Sequence, residues 1–412
     1  MRDIKSLEAE LGEIISKPLE SVSVIDFMNL IIEFAYVTKA SDVHLEPEDN
    51  DVRIRFRIDG LLRDMIDKKL YTRALHQEVI SRIKVMSGLR TDEHFLPQDG
   101  RLRVRLEEAG EIDVRVSIMP TYQGENAIMR VLAETQNFGL KDLGFVAEDF
   151  EKIQSAIRKP YGMILANGPT GSGKTTTLYT ILKELHKPEI SIITIEDPIE
   201  YSLEGTTQIQ VDIQTGLAFA NGLRSILRQD PNIIMVGEIR DSETAGIAVN
   251  AALTGHLVLS TLHTNDAATT FPRLIDMGVP PFLVASTVNI AMGQRLVRKL
   301  CEKCKKERKL TEDEFQSLLE IAPKQAAIKS NIFYNPGGCG ACEGSGFESR
   351  IGIREVLEVN NDIRQLIVAR ASAQDIKSAA VRGGMITMFA DGMKKAAEGL
   401  TTIEEILRII HE

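Results

Sequence analysis

The segment GMILANGPTGSGKT, residues 162–175, restricts the possible folds of this chain more than any other part of it. A short apolar strand runs into a GxxxxGK[ST] loop and then into a helical pattern, which is the arrangement that a phosphate-binding loop requires. Glycines let backbone N–H groups turn inward around phosphates, and the N-terminus of the helix adds its dipole. The segment therefore predicts a nucleotide site inside an α/β domain.

Each part of this loop has an expected task. Lys174 reaches the β- and γ-phosphates, and the Thr175 hydroxyl binds Mg²⁺. No NKxD-type motif for reading guanine occurs in the chain, so ATP is the expected nucleotide. The residues predicted to contact it are Gly168, Pro169, Thr170, Gly171, Ser172, Gly173, Lys174, Thr175 and Thr176.

Four short segments are apolar throughout and alternate with helical patterns. Such strands are typical of a parallel sheet that helices cover on both faces. Ligands bind at the carboxyl ends of the strands in these sheets, so residues that follow the strands are candidates for the chemistry. The predicted strands are 162–166, 191–195, 233–236 and 257–260.

The third strand does not end in the Asp that helps to hold Mg²⁺ in most P-loop ATPases. It is followed by Gly237 and by Glu238, which is well placed to orient and polarise an attacking water. The second strand opens onto EDPIE, residues 196–200, whose carboxylates repel one another unless a cation is bound. We expect this cluster to supply the missing acid group; the alternative is a solvated acidic turn.

Two histidines bracket the fourth strand, His256 before it and His263 after it. A single histidine is more often a satisfied core residue, but two around one strand favour a functional role for at least one of them. Thr261 and His263 are expected to sense the γ-phosphate.

The region before the nucleotide loop shows a different pattern. The segment VRIRFRI, residues 52–58, alternates as a half-buried strand does, and Asp59-Gly60 after it predicts a hairpin turn. Together with the other elements, these features predict an α+β domain. The other predicted elements are helices at 24–39 and 73–87 and strands at 101–106, 112–118 and 126–132.

All four cysteines fall into CEKC, residues 301–304, and CGAC, residues 339–342. Two CxxC pairs without a spare cysteine predict a tetrahedral Zn²⁺ site, and the glycine allows backbone N–H groups to approach the thiolates. Disulfides are disfavoured in the cytoplasm, and a redox CxxC needs no second pair. The spacer 305–338 is expected to form a small helical excursion. The predicted ligands are Cys301, Cys304, Cys339 and Cys342.

Composition excludes several classes of protein. The net charge of −10 argues against a nonspecific nucleic-acid coat, which needs a basic surface. No apolar stretch is long enough to span a bilayer, and the charged N-terminus lacks the apolar centre of a secretion signal. We therefore expect a cytoplasmic location and at most peripheral contact with a membrane.

Four segments, GPTGSGKTTT, ITIEDPIEY, ILRQDPNIIMVGEIRD and TGHLVLSTLHTND, occur together and in this order. With this set the chain resembles the type II secretion and type IV pilus assembly ATPases (GspE/PilB-like). The resemblance implies that glycine is usual at position 237 and that Glu200 works beside Glu238. It also implies a homohexameric ATP hydrolase with a RecA-like α/β fold that uses ATP, Mg²⁺ and Zn²⁺.

The preceding α+β domain resembles the PAS-like N-terminal domain of that family, through ASDVHLEP, residues 40–47, and RIDG, residues 57–60. The predicted organisation has six parts. They are a leader, 1–23; a PAS-like α+β domain, 24–133; a linker, 134–146; a RecA-like P-loop ATPase core, 147–300; a tetracysteine zinc insertion, 301–345; and the C-terminal helical part of the ATPase domain, 346–412.

In the family, arginines cross to a nucleotide or stabilise a closed interface. By motif, Arg101 in QDGR and Arg115 in DVRVS match these arginines, and so do Arg224 and Arg228 in the helix before Asp230. A guanidinium that arrives on domain closure offsets the charge that develops in phosphoryl transfer.

The resemblance implies a motor at the inner face of the cell membrane that drives an inner-membrane platform protein. Relatives often carry a further N-terminal domain that docks on the membrane machinery. Only about twenty residues precede the 24–39 helix, so this sequence does not establish recruitment by that route.

Three alternatives stay open. A pilus retraction motor would share the nucleotide site but generally lacks the tetracysteine insertion. A type IV secretion traffic ATPase is expected to lack both the cysteine pairs and this EDPIEY form. A nucleic-acid motor or zinc-ribbon nucleic-acid-binding module is disfavoured by the negative charge and the few aromatic residues, because single-strand binding uses basic grooves with stacking side chains.

Overall fold

The structure is a computed structural model, and it describes residues 4–16, 21–49, 51–64, 71–106, 110–132, 139–212, 215–321 and 330–411. The chain divides into two compact units, Met1–Gln136 and Asn137–Glu412. Among the helices of these ranges, none combines the length and the apolar character that a membrane span needs.

The first unit is an antiparallel sheet packed with helices. Over the described residues its sheet has six strands in the order β3-β2-β1-β6-β5-β4. The helices are α1 (Ile4–Ser16), α2 (Val24–Val37) and α3 (Arg73–Met86), and the strands are β1 (Asp42–Pro47), β2 (Val52–Ile58), β3 (Leu61–Asp64), β4 (Gln98–Leu106), β5 (Gly110–Thr121) and β6 (Gly124–Leu132).

Several predictions for this unit are confirmed. Burial alternates along β2, as the VRIRFRI pattern predicts. Asp59 and Gly60 join β2 to β3 with φ values of 50° and 86°, and two positive φ angles are what a tight hairpin turn needs. The predicted helices 24–39 and 73–87 correspond to α2 and α3. The relation to a PAS-like domain stays a prediction.

The predicted leader, 1–23, is not separate from this unit. Its residues 4–16 form α1, and Leu7 and Leu11 are buried in the same hydrophobic core as α2 and the sheet. The sequence predicts a separate leader because charged residues surround these leucines. Two apolar side chains one helical turn apart are nevertheless enough to pack one face of α1 against the core.

The second unit contains the predicted parallel sheet. In the described part of the chain it has seven strands in the order β15-β12-β7-β11-β10-β8-β9. The strands of this sheet are β7 (Gly162–Asn167), β8 (Ile192–Glu196), β9 (Thr207–Gln210), β10 (Ile233–Val236), β11 (Leu257–Leu262), β12 (Val288–Leu300) and β15 (Phe347–Glu358). A separate two-stranded sheet is formed by β13 (Lys306–Lys309) and β14 (Ile332–Asn335). The helices are α4 (Ala147–Ile157), α5 (Lys174–Leu185), α6 (Phe219–Ile226), α7 (Ser242–Leu253), α8 (Thr270–Asp276), α9 (Pro281–Thr287), α10 (Glu312–Ile321), α11 (Asn361–Val368), α12 (Ala373–Arg382), α13 (Met388–Ala397) and α14 (Ile403–His411).

Helices cover both faces of this sheet, as the uniformly apolar strands predict. Along β7, Met163 and Leu165 belong to one hydrophobic cluster, whereas Ile164 and Ala166 belong to another. Strands β7, β8, β10 and β11 pair in parallel. Their carboxyl ends therefore meet at one edge of the sheet.

Two predicted boundaries differ from the structure. The first concerns the predicted linker, 134–146. Leu140 and Leu143 lie in a 3₁₀ turn and are buried in the second unit, so the linker residues from 140 onward belong to that unit. Residues 133–138 lie outside the described ranges. The predicted helical part, 346–412, begins with the strand β15, which pairs antiparallel with β12. This strand was not predicted, because charged residues are spread through its sequence, FESRIGIREVLE. The spacer between the cysteine pairs holds the predicted helix, α10, and also the paired strands β13 and β14.

Candidate nucleotide site and tetracysteine cluster

The glycine-rich loop connects β7 to α5. Gly168, Gly171 and Gly173 have φ values of 148°, 78° and 85°, which favour glycine. A Cβ atom on Gly168 would lie 2.5 Å from the carbonyl oxygen of Gln294, so a side chain there would collide with backbone. The loop thus has the backbone freedom that the sequence predicts, and its N–H groups can turn toward a phosphate.

Lys174 is the first residue of α5, and its side chain is buried. Its Nζ donates to the carbonyl oxygens of Gly168, at 2.7 Å, and of Pro169, at 3.0 Å. Burial lowers the pKa of Lys174 to about 8, although the nearby carboxylate of Glu238 acts to raise it. The ammonium group is therefore held over the loop, where phosphate oxygens can replace the two carbonyls.

The remaining loop residues differ in exposure. Pro169, Thr170 and Gly171 are exposed, whereas Ser172 is buried and its Oγ donates to the Pro169 carbonyl at 2.9 Å. Thr175 is partly buried in the first turn of α5, as is Thr176.

Glu238 lies directly after β10 at the same edge of the sheet. Its Oε2 lies 3.0 Å from Nε2 of His263 and forms an ion pair with Nε of Arg240 at 2.6 Å. The carboxylate is largely buried, whereas both partners are exposed. The structure therefore brings together two predicted residues, Glu238 and His263. It adds Arg240, which the sequence signals only by its place two residues beyond Glu238.

Gly237, between β10 and Glu238, packs closely against the neighbouring strand β8. Its N–H donates to the carbonyl of Ile195 at 2.8 Å, which ties it to the neighbouring strand β8. A Cβ atom at position 237 would lie 3.3 Å from both the Ile195 oxygen and the Cα of Glu196. A side chain at this position would be crowded against β8.

The acidic cluster after β8 is smaller than predicted. Glu196 is buried and accepts from Thr194 Oγ1 at 2.6 Å and from Gln208 Nε2 at 3.2 Å. The Tyr179 hydroxyl also donates to it, and burial and this carboxylate raise the pKa of Tyr179. Glu196 is thus a core residue with internal partners. Glu200 lies further along the same turn, and its role beside Glu238 stays a prediction.

The two predicted histidines lie at opposite edges of the sheet. His256 precedes β11, its Nδ1 lies 3.0 Å from the Ala251 carbonyl, and its own carbonyl accepts from the N–H of Gly162, where β7 begins. Strand β11 has six residues, so its two ends are roughly 20 Å apart at about 3.3 Å per residue. His256 therefore lies away from the loop within this chain, and its functional role stays a prediction.

Thr261 is also engaged within the fold. Its Oγ1 donates to the Gly237 carbonyl at 2.8 Å, and its carbonyl accepts from the N–H of Ile239 at 3.0 Å. These bonds join the ends of β10 and β11. They make Thr261 a support for the Glu238 segment, and its action on the γ-phosphate stays a prediction.

The four predicted arginines fall into two pairs. In the first unit, Arg101 lies opposite Arg115 across β4 and β5, and its Nη2 lies 3.2 Å from Asp113. In the second unit, Arg224 and Arg228 are exposed on and just after α6, and Nη1 of Arg228 donates to the Arg224 carbonyl at 3.0 Å. Their predicted action on a nucleotide stays a prediction.

The four cysteines converge at the end of β12. Their Sγ atoms all lie within 4.8 Å of one another, with separations of 4.0 Å for Cys301–Cys339 and 3.7 Å for both Cys304–Cys342 and Cys339–Cys342. Four Zn–S bonds of about 2.3 Å in a tetrahedron give sulfur separations of about 3.8 Å. The cluster thus has the dimensions of a tetrahedral metal site.

Backbone groups also favour thiolates in this cluster. The N–H groups of Cys339 and Gly346 each lie 3.2 Å from the Sγ of Cys342. Burial opposes ionisation, but these donors and the neighbouring thiols lower the pKa of Cys342 to about 6. Backbone N–H groups therefore approach a cysteine sulfur as predicted, but the glycine among these two donors is Gly346 and not the glycine of CGAC.

The fold and the site together define a RecA-like P-loop ATPase. Its features are the parallel sheet, the loop at the end of β7, the lysine over that loop, and the carboxylate at the end of β10 in contact with a histidine. Solved structures agree with this class. The pilus retraction motor PilT with bound ADP has a TM-score of 0.63 and 26% identity, over 93% of this chain and 96% of that one. The ATPase DotB of Legionella pneumophila has the same fold, with a TM-score of 0.68 and 24% identity over 94% of this chain and 95% of its own.

Sequence comparison identifies the family. The family model described as Type II/IV secretion system protein matches residues 18–408. The type IV pilus assembly ATPase PilB of Thermus thermophilus is 48% identical over 92% of this chain and 42% of its own length. PilB of Myxococcus xanthus is 42% identical, over 98% of this chain and 71% of its own length. Type II secretion system protein E of Xanthomonas campestris pv. campestris is 46% identical, over 94% and 68%.

The chain therefore belongs to the type II/IV secretion system family, and the resemblance to secretion and pilus assembly ATPases is confirmed. It spans less than half the length of the Thermus relative and about seven tenths of the Myxococcus one.

Proposed function

We propose that this chain is a cytoplasmic, Mg²⁺-dependent ATP hydrolase that works as a homohexameric ring and drives assembly of a type IV pilus or a type II secretion pseudopilus. The observation that carries the proposal is the contact of Glu238 with His263 close to Lys174, at the carboxyl edge of the P-loop sheet. The names of the relatives, which are pilus assembly ATPases and type II secretion proteins, support the choice of machine.

The residues of the site divide the work of hydrolysis. Lys174 and the loop N–H groups bind the phosphates, and Glu238 orients the attacking water while its contact with His263 fixes the carboxylate. Thr175 and Glu200 would hold Mg²⁺, which supplies electrostatic stabilisation of the phosphates when bound. Arg101, Arg115, Arg224 and Arg228 supply further positive charge when protomers close on ATP.

The location and partners follow from the same proposal. The ring would sit at the inner face of the cell membrane as a peripheral protein, where an inner-membrane platform protein receives the motion. Nucleic acid is not a partner in this proposal, since the net charge is −10. Added DNA should therefore leave the ATPase rate unchanged, and strong stimulation by DNA would favour the nucleic-acid motor instead.

The direct test of the function is ATP turnover with the variant Glu238→Gln. Removal of the carboxylate should lower turnover by about 10²-fold or more, because a positioned general base contributes about that much, and should leave ATP binding intact. The measurements are phosphate release and the affinity for a fluorescent ATP analogue. Glu151→Gln, an exposed carboxylate on α4, is the matched control and should behave as the unchanged protein. Ordinary turnover in Glu238→Gln would remove Glu238 from its role.

We also propose that the tetracysteine cluster holds structural Zn²⁺, because its sulfur separations fit a tetrahedral ion. Metal analysis of the purified chain should find about one Zn²⁺ per chain, and Cys301→Ser should lose most of it. A folded protein with four free thiols and no zinc would contradict this assignment.

A further inference from the structure

Gln294 is a fully buried polar residue beside the nucleotide loop that no motif singled out. It lies on β12, one residue after Gly293, which pairs with Asn167 at the end of β7. Strand β12 thus continues past the point where β7 becomes the loop. Gln294 is the first residue of β12 that lies beside the loop instead of beside β7.

The side chain of Gln294 bonds to the end of the loop and to the helix that follows. Its Nε2 donates to the carbonyl of Ser172 at 2.6 Å, and its Oε1 accepts from Oγ1 of Thr177 at 2.9 Å. The main-chain oxygen of Gln294 packs against Gly168, where a Cβ would lie only 2.5 Å away. One residue therefore contacts the start of the loop, its end and the first turn of α5.

These bonds fix the direction of a loop N–H group. The carbonyl of Ser172 and the N–H of Gly173 belong to the same planar trans peptide, in which the two groups point in opposite directions. Because the carbonyl points at Gln294 on β12, the N–H of Gly173 points away from β12. A carboxamide offers both a donor for Ser172 and an acceptor for Thr177 in one uncharged side chain.

We propose that Gln294 is a positioning residue of the nucleotide site. It does not touch the nucleotide; it holds the 172–173 peptide and the first turn of α5 in the orientation that binds phosphate. This inference rests on the proposed function, in which the loop binds ATP.

Asn289 provides a matched control on the same strand. It is also buried, and its Nδ2 donates to a backbone carbonyl, that of Tyr161, at 2.9 Å. Tyr161 lies just before β7, at the opposite edge of the sheet from the loop. Asn289→Leu therefore removes a comparable buried amide bond without disturbing the loop.

The experiment measures the affinity of the full chain for a fluorescent ADP analogue, together with the thermal unfolding midpoint. Gln294→Met, which keeps the volume and loses both bonds, should bind the nucleotide about tenfold more weakly, and tenfold corresponds to about 1.4 kcal/mol. Asn289→Leu should lower the unfolding midpoint and keep the affinity. Thr177→Val removes one of the two bonds, so it should lose less affinity than Gln294→Met. The double variant should lose no more than Gln294→Met alone.

Each outcome decides the proposal. Unchanged affinity in Gln294→Met would overturn the proposal. So would a loss of affinity in Asn289→Leu as large as that in Gln294→Met, if the two variants have similar unfolding midpoints. If Gln294→Met does not fold, Thr177→Val carries the test, and unchanged affinity in that variant would overturn the proposal as well. Failure of the unchanged chain to bind the nucleotide would instead refute the proposed function.

Discussion

The ends of β8 and β10 lie side by side in the sheet, and each is marked by a glutamate, but the two carboxylates have opposite surroundings. Glu196 is buried among the neutral donors Tyr179, Thr194 and Gln208. Glu238 contacts two side chains that can carry charge, His263 and Arg240, both of which are exposed. A buried carboxylate whose partners are all neutral serves the core, whereas one with exposed ionisable partners next to a phosphate loop is available for chemistry.

The largest expected difference between the two carboxylates is in turnover. Glu196→Gln should keep turnover within a few-fold of normal, whereas Glu238→Gln should lose about 10²-fold or more. Glu196→Gln should instead lower the free energy of unfolding by about 1–3 kcal/mol, because an amide group cannot satisfy all three donors. Steady-state phosphate release and urea unfolding measure the two effects. A Glu196→Gln variant as inactive as Glu238→Gln, but equally stable, would contradict the division of roles.

A second expected difference concerns the pH dependence of nucleotide binding. Burial lowers the pKa of Lys174 to about 8, so the ammonium that binds phosphate is lost as the pH rises above that value. The affinity for ADP should therefore fall as the pH rises above about 8, by up to tenfold per pH unit. Since the Glu238 carboxylate raises the pKa of Lys174, Glu238→Gln should move the midpoint to lower pH, and Glu196→Gln should leave it in place. Fluorescence titrations between about pH 7 and 10 measure the midpoint.

The same lowered pKa has a consequence for stability. Between about pH 8 and the usual lysine value, the unfolded chain binds more protons at this position than the folded chain does. Stability contributed by Lys174 therefore rises with pH over this window, while nucleotide affinity falls. Lys174→Gln should remove both trends, and persistence of the affinity trend in that variant would assign it to another group.

The smallest expected effect comes from the partner of Glu238. His263→Leu removes the hydrogen-bonding group beside Oε2 of Glu238, and we expect turnover to fall by about tenfold, the lower part of the range for loss of a charge-assisted hydrogen bond at a site. His256→Gln, at the other end of β11, should change turnover by less than about twofold. Phosphate release by the two variants under identical conditions measures the contrast. Equal loss in both would instead support the predicted functional role of His256.

Sequence patterns gave reliable information wherever a local rule applies. The phosphate loop, the four uniformly apolar strands, the Asp59-Gly60 turn and the two CxxC pairs each depend on residues that are close in the chain, and the structure contains each of them. The patterns were less reliable for β15 and for α1, because charged residues on their exposed sides masked the buried ones.

The sequence by itself determined that this chain has a phosphate loop in a parallel α/β sheet and four cysteines paired for a metal. Tertiary structure alone decided which of its strand-end residues face that loop. It placed His263 beside Glu238, and His256 at the edge of the sheet away from the loop. It also buried Glu196 in the core and brought Gln294 into contact with Ser172. The physical reason is that the periodicity of a strand reports which of its faces is buried, whereas the partners of a side chain depend on which strands become neighbours, and residues 172 and 294 meet only when β12 pairs with β7.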